Sequence, residues 1–537
     1  MKRQNWLHFL APLALSGSCA TSFAAQTPPA KPNIIIVLAD DLGYGDVGCY
    51  NSESKIKTPF LDRMASEGMR FTDAHTCSAV CTPSRYGLIT GRYSWRSELK
   101  GGVLSGYSPA LIKPTRETIA SMLKKNGYRT ACIGKWHLGM DLATKDGQPL
   151  DQKNVNPSNI DWNGAIRNGP NDLGFDYYFG CAASWDMPPY VWIENDKFTT
   201  TQLTNVVHGE FGRPGVKAVG MAATHALPTL TQKAVSYIEA SAKEKSGQPF
   251  FLYFPLTAPH TPVAPNAAFK GRSRAGDYGD FVTEADDTIG QLFAALARTG
   301  LDSNTLVIVT SDNGPEGSAI ARRTQYNHFS AEKLLGIKRD NWDGGHRVPF
   351  IARWPGQVPA GSVSGETICL TDMMATAAAL NGYQLPPTAG EDSYNIWPVL
   401  AGEKPAAPIR EATVHHSSKG LFAIRQGQWK LLTHAGSGGN NYDKDPAYAA
   451  YYSKPVQLYD LAADPYEKVN LADSHPEIVA KLTALLRQYV INGRSTPGPA
   501  MQNDTPNNWK QLEGLNFPVE KASRTKGKKA VNAVSEE

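Results

Sequence analysis

Four apolar runs end abruptly in polar residues. Asn33 to Ala39 runs into Asp40 and Asp41. Arg129 to Ile133 runs into Gly134, Lys135, Trp136 and His137. Phe250 to Leu256 runs into Pro259 and His260, and Thr305 to Val309 into Asp312 and Asn313. Continuous apolar runs of this length fit strands buried on both faces, which predicts a mainly parallel sheet. Helical patterns lie between them. Thr58-Pro59 offers a cap and a first-turn proline for a helix from Phe60 to Gly68, and Thr115 to Lys125, Thr229 to Ala242 and Glu284 to Arg298 carry helical spacing. The alternation predicts a large α/β sheet covered by helices. Ligands of open α/β sheets bind outside the carboxyl ends of the strands. Asp40, Asp41, Lys135, His137, His260, Asp312 and Asn313 all stand just past such ends, so the pattern predicts that they converge on one site.

After about residue 405 the pattern changes. Thr413 to His416, Leu421 to Arg425, Trp429 to Thr433 and Val456 to Leu461 are short strand-like runs, and a helical stretch from Pro476 to Ile491 follows. This predicts a smaller antiparallel sheet with one helix. The division expected is a catalytic domain over 30–404, an α+β subdomain over 405–500, and a partly disordered tail over 501–537, lysine-rich from about Ser523. Residues 436–455 read as a loop. Residues 141–225, rich in Asn, Gly and Pro with weak periodicity, read as a long insertion of the kind that is usually functional.

The N-terminus changes how the composition is counted. Lys2 and Arg3 precede a short apolar stretch, Leu7 to Leu15, and Ser22-Phe23-Ala24 offers small residues for cleavage. Residues 1–24 have the form of a secretory signal peptide, with an apolar run too short to span a bilayer. Export to the periplasm or beyond is expected. A lipid anchor on Cys19 is the weaker alternative, since Ser16-Gly17-Ser18 lacks a leucine. The chain of 537 residues carries a net charge of +4, and removal of Lys2 and Arg3 leaves +2. That balance gives no reason to expect a nucleic-acid partner. Seven cysteines are too few for a disulfide scaffold at this length. Losing Cys19 with the signal leaves six.

The sharpest motif is Cys81-Thr82-Pro83-Ser84-Arg85, followed by Leu88-Ile89-Thr90-Gly91-Arg92. It resembles the signature of the type I sulfatases, in the alkaline phosphatase superfamily, whose cysteine is oxidised to formylglycine before or during export. The resemblance extends in the same order through Asn33 to Asp46, Gly134 to Gly139, Gly174 to Gly180, Pro259-His260, Ser311 to Gly314, Gly336 to Pro349 and Leu458 to Leu471. It implies an alkaline-phosphatase-like fold and an exported hydrolase of sulfate monoesters, maturing through a formylglycine-generating enzyme. An aldehyde hydrates to a geminal diol; one hydroxyl attacks sulfur and the second expels sulfate by C–O cleavage, which a serine ester cannot do. Pro83 would place position 81 at a helix N-terminus, where exposed N–H groups favour an anion.

The resemblance also implies roles. Asp40, Asp41, Asp312 and Asn313 would bind one Ca²⁺, together with the converted Cys81; as oxygen donors they suit a hard cation. Arg85 would orient the formylglycine, His137 would stand in its environment, and Lys135 and Lys338 would hold sulfate oxygens. His260 would protonate the leaving alcohol, since histidine supplies a proton near neutral pH. Ser184 aligns with a sulfate-contacting serine. Asp343 stands where the family usually has Glu, and is expected to position its loop, with Arg347 pairing inside it. For the substrate, Ser184, Asp186, His415 and Arg494 are the candidates, with Trp185, Tyr190, Trp192 and His416 nearby in sequence. His415 and His416 would face opposite sides of a strand, so at most one points inward. Arg494 to Gly498 resembles a block of bacterial carbohydrate sulfatases, which leans towards a glycan. The alternatives are a phosphate or phosphonate ester hydrolase of the same superfamily and a non-catalytic glycan-binding relative.

Overall fold

Asn33–Asp40, buried along its whole length, lies between two other long apolar strands, Phe250–Pro259 and Thr305–Ser311, and runs parallel to both. The structure is a computed structural model that describes residues 31–517 except 208, 245 and 246. The expected signal peptide and the lysine-rich segment from Ser523 lie outside those residues. Arg129–Lys135 and Tyr177–Cys181 continue the parallel array beyond Phe250–Pro259. On the other side Phe350–Arg353 pairs antiparallel with Thr305–Ser311, then Met69–Phe71 and Ser362–Ser364 follow. Two short strands, Ile193–Glu194 and Lys197–Phe198, complete a mixed, ten-stranded sheet. The odd and even positions of the central strand feed two apolar cores: Ile34, Ile36 and Leu38 face one layer of helices, Ile35, Val37 and Ala39 the other.

The expected strands run longer than their apolar cores, so Asp40, Lys135 and Pro259 are the last residues of strands. The helices also differ at their starts. Gly276–Thr299 begins eight residues before the apolar spacing does. Ile119–Lys125 is shorter than expected because Thr118 caps it, accepting from Ser121 N. Pro59–Glu67 forms as expected, but Thr58 does not cap it; its hydroxyl accepts from Gly48 N and reaches Asp62. The 141–225 stretch holds the main-sheet strand Tyr177–Cys181 and a separate hairpin, Leu203–Val206 with Gly215–Ala218.

The C-terminal sheet has four antiparallel strands in chain order, Thr413–His416, Phe422–Gln426, Trp429–Leu432 and Gln457–Asp460, covered by helix Pro476–Asn492. It belongs to the same compact unit as the large sheet. The described part of the expected tail, residues 501–517, packs on this unit, with Leu512 and Leu515 in the apolar cluster that also holds Leu482, Leu486 and Trp95. Cys49, Cys77, Cys132, Cys181 and Cys369 are free thiols, and Cys77 sends its Sγ to Pro83 O.

Candidate active site

The carboxyl ends of the parallel strands do converge. Asp40 closes one strand, and the chain turns at once through Asp41, whose φ of 66° lies in the left-handed region. Asp41 N donates to Asp312 Oδ1 (3.2 Å), Leu42 N to Ser311 Oγ (2.9 Å), and Asn313 Nδ2 to Asp41 Oδ1 (2.6 Å). These bonds stitch the two neighbouring strand ends into one bed of carboxylates. Lys135 reaches it because Gly134, at φ 135°, lets the chain pass Pro255 O where a Cβ would sit 1.8 Å away. Lys135 Nζ then donates to both oxygens of Asp40 (2.9 and 2.7 Å).

Cys81 is the first residue of helix Cys81–Thr90, which is buried at every position. Val80 is extended and offers no side-chain cap to the first turn. One turn on, Arg85 sends Nε and Nη2 to Asp312 Oδ2 (3.0 and 2.7 Å) and Nη1 to Lys135 O (3.0 Å). Thr82 Oγ1 donates to His137 O (3.0 Å), placing His137 beside the same helix start. His137 also has a left-handed φ, 57°. Its Nε2 must donate to Leu104 O (2.7 Å), which leaves Nδ1 buried as an acceptor without a hydrogen-bond partner.

A second group sits across Asp41. Lys338 Nζ donates to Asp41 Oδ2 (3.1 Å), meets His260 Nε2 (3.0 Å) and pairs with Glu316 (3.3 Å). His260 Nδ1 donates to Thr261 O (2.6 Å), so Nε2 is the end left to face the site.

The charges explain one another. Burial raises the Asp40 carboxyl, but Lys135, then His260 and Arg85, hold it well below the usual range. Burial and the neighbouring Asp40 push Asp312 up to about 7. Burial also raises Asp41. Burial, with Lys135 and Arg85, keeps His137 neutral. For His260, burial and Lys338 act downward, but Asp41 and Asp40 outweigh them and raise it. Three buried carboxylates thus face three buried cations, Arg85, Lys135 and Lys338. A pocket so balanced takes up a cation and an anion together more readily than either alone.

The donor set fits a hard cation. Asp40, Cys81 and Asp312 bring donor atoms within 4.8 Å of one another, and Asn313 Oδ1 is a buried acceptor without a partner. Ser184 and Asp186 follow strand Tyr177–Cys181 and belong to the same neighbourhood. Ala183 and Met187 pack in one apolar cluster with Cys81, and Asp186 Oδ1 lies 4.0 Å from His260 Nδ1.

Two expected substrate residues are placed elsewhere. His415 is fully buried, stacked on His346 (3.9 Å), with Nδ1 on Thr76 O (2.8 Å). Arg494 is occupied by Thr496 and Pro499 of its own loop and by the carbonyl of the distant Pro387. His416 faces the other way, as alternation requires, but into Ser78 and Ser94. Trp185 and Trp192 stack on each other (4.6 Å), and Tyr190 on Phe211 (4.3 Å), as packing rather than an open platform. His75, His346 and His415 form a further buried cluster. Lys430 donates to Asp343 (2.7 Å) and His346 Nε2 (3.1 Å) and forms an ion pair with Glu467 (2.7 Å). His346 Nδ1 is hydrogen-bonded in turn to His75 (3.0 Å), and His75 to Asp73 (2.9 Å). The near-parallel stack of His346 and His415 keeps their lone pairs from meeting on one ion. Asp343 does position its loop, as expected, through Arg347 (3.3 Å) and Lys430.

Sequence reasoning misses Glu316 and Arg213. Glu316 stands within reach, two residues past the Ser311 to Gly314 block. Arg213, 3.6 Å from Asp186, lies in a polar hairpin with no pattern to single it out.

A sulfatase family model matches residues 32–383. The chain belongs to the sulfatase family. It is 34% identical over 505 residues to the N-acetylgalactosamine-6-O-sulfatase of Bacteroides thetaiotaomicron, covering 85% of this chain and 92% of that protein. It is 33% identical over 509 residues to human arylsulfatase A, covering 91% and 93%. A solved structure from work on glycosaminoglycan metabolism by Bacteroides thetaiotaomicron superimposes with a TM-score of 0.74 at 33% identity, covering 85% of this chain and 99% of that one. Another, Ps i-CgsB in complex with k-i-k-neocarrahexaose, gives 0.64 at 26% identity, covering 89% and 96%. The protein is therefore a sulfuric ester hydrolase of the formylglycine-dependent type. Among the described residues no helix is long and apolar enough to cross a membrane.

Proposed function

We propose that this sulfatase is exported to the periplasm or beyond and removes sulfate from a sulfated carbohydrate. Cys81 is converted to formylglycine by a maturing enzyme, and Asp40, Asp41, Asp312 and Asn313 hold one Ca²⁺. The observation that carries this reading is the meeting of Cys81, at a helix start, with Asp40 and Asp312 among matched buried charges. The names of the relatives support a glycan: an N-acetylgalactosamine-6-O-sulfatase and a structure holding an oligosaccharide. N-Acetylgalactosamine 6-sulfate is accordingly the first ester to try. The segment 1–24 supports export.

The formylglycine supplies, as its hydrate, a hydroxyl nucleophile that cysteine lacks, and the cation supplies positive charge to sulfate oxygens. The chain's own side chains do the rest. Arg85 fixes Asp312 and, through Lys135 O, the end of the neighbouring strand. Lys135 and Lys338 neutralise the sulfate and hold it against position 81. His260 Nε2, kept protonated more readily than an ordinary histidine, gives its proton to the leaving alcohol oxygen. His137 stays neutral and presents Nδ1 as an acceptor. Ser184 Oγ, buried and without a hydrogen-bond partner, is available to a sulfate oxygen.

The test is a screen of defined sulfated sugars with the wild type and with Cys81→Ala. The wild type should release sulfate from at least one sugar ester. Cys81→Ala should lose all turnover while keeping its unfolding midpoint. Wild-type-like activity in that variant would sink the mechanism.

A further inference from the structure

The segment that packs on Cys81 leaves its polar atoms unspent. Ser184 Oγ, Trp185 Nε1 and Asp186 Oδ1, on three successive residues, have no hydrogen-bond partner. The first two belong to residues more than nine-tenths buried. Unmet buried polar atoms are costly, and of these three Asp186 Oδ1 is the one that a contact places at the candidate site, 4.0 Å from His260 Nδ1.

Asp186 is the informative one. A carboxylate only accepts hydrogen bonds, and among the described residues the Oδ1 of this one accepts none. Its Oδ1 is 4.0 Å from His260 Nδ1, whose proton is already given to Thr261 O. Its Oδ2 is 3.6 Å from Arg213 Nε, beyond hydrogen-bond reach. The neighbouring acids are all engaged: Asp40 by Lys135, Asp312 by Arg85, and Glu316 by Arg339 at 2.8 Å. Asp186 and Arg213 also reach solvent, with side chains 15% and 32% exposed, where Asp40, Asp41, Asp312, Arg85, Lys135 and Lys338 are at most 1% exposed. Nor is the pair loosely hung. The Tyr190 hydroxyl lies 2.9 Å from Asp186 O and 2.7 Å from Arg213 O, so its single proton is shared between the two carbonyls and ties the two backbones to one side chain. Arg213 stands in the turn of the Leu203–Ala218 hairpin, held by the stack of Tyr190 on Phe211.

We propose that Asp186 and Arg213 are the recognition pair for the alcohol side of the ester, reading the hydroxyl groups of a pyranose beside the sulfated carbon. A sugar O–H donates to Asp186, and a sugar oxygen accepts from Arg213. The proposal rests on the reading of the protein as a carbohydrate sulfatase. His260, with Nδ1 toward this pair and Nε2 toward Lys338, stands between the sugar so held and the buried charges.

The experiment measures kcat and KM for N-acetylgalactosamine 6-sulfate, or the best sugar of the screen, and for 4-methylumbelliferyl sulfate, an aryl ester without sugar hydroxyls. It also measures the Ki of inorganic sulfate. The variants are Asp186→Asn, Arg213→Ala and Arg213→Lys. Asp186→Asn and Arg213→Ala should lower kcat/KM on the sugar at least tenfold more than on the aryl ester, mainly through KM, with Arg213→Lys in between. The sulfate Ki should move less than threefold, and it replaces the aryl comparison if the wild type is inert on that ester. Equal losses on both esters, a sulfate Ki that rises in step with the sugar KM, or no loss on the sugar would overturn the pair. A wild type that cleaves the aryl ester and none of the sugars overturns the carbohydrate reading itself.

Discussion

Asp312 shows how much one side chain can organise. It takes two hydrogen bonds from Arg85 on one oxygen and one from Asp41 N on the other. Asp312→Ala therefore removes a proposed metal donor and leaves the Arg85 guanidinium buried beside Asp40 at 3.4 Å. Turnover and bound calcium should fall together, and metal analysis of the purified variant checks this; an unchanged metal content rejects the assignment. Most of this site is legible in the sequence, because strand ends and the Cys81 to Arg85 motif carry it. The two substrate candidates that lie elsewhere, His415 and Arg494, do so for physical reasons. Alternation correctly sets His415 and His416 on opposite faces, but it cannot tell that both faces are buried. A loop arginine gives no sign in sequence that carbonyls will occupy it. Asp186 is legible only as a polar residue among aromatics, and Arg213 not at all.

Among the elements, the long apolar strands announce themselves, while Met69–Phe71 and Ser362–Ser364, three residues each, are too short to show a period. Tyr177–Cys181 is hidden in a stretch that reads as loop. One helix-to-helix contact carries a testable pH dependence. Asp286, on Gly276–Thr299, accepts from Phe60 N and Leu61 N at the start of Pro59–Glu67. It is thus a capping acid supplied from another helix, which is why Thr58 need not cap. Burial pushes Asp286 up to about 7. A folded value above the unfolded one means that its contribution is complete below about pH 4 and is lost as pH rises through about 7. Each tenfold gain in proton affinity on folding is worth about 1.4 kcal/mol, so the wild type should lose up to about 4 kcal/mol relative to Asp286→Asn between about pH 4 and pH 8. Denaturant unfolding of both proteins across that range measures it, and parallel profiles would refute the assignment.

At the scale of the molecule, the two sheets share buried charge. Lys430, from the C-terminal sheet, serves Asp343 and Glu467 and feeds the His346–His75–Asp73 relay that backs the Thr76–Cys81 loop. No sequence pattern links residues so distant, and only folding brings them together. Removing one partner of a buried pair costs about 3–5 kcal/mol. Lys430→Met should lower stability by about that much, and Lys430→Met with Glu467→Gln should recover part of it; thermal unfolding decides, and an unshifted midpoint would show the contact to be neutral. The burial of helix Cys81–Thr90 at all ten positions has a consequence in time as well as in space. An enzyme that alters the Cys81 side chain cannot grip it once this helix is packed. On the proposed maturation of Cys81, the enzyme's chance closes when the chain folds, so the active fraction of a preparation would record a race between two rates, and slowing the folding should raise the yield of active protein without changing a single contact in the finished molecule.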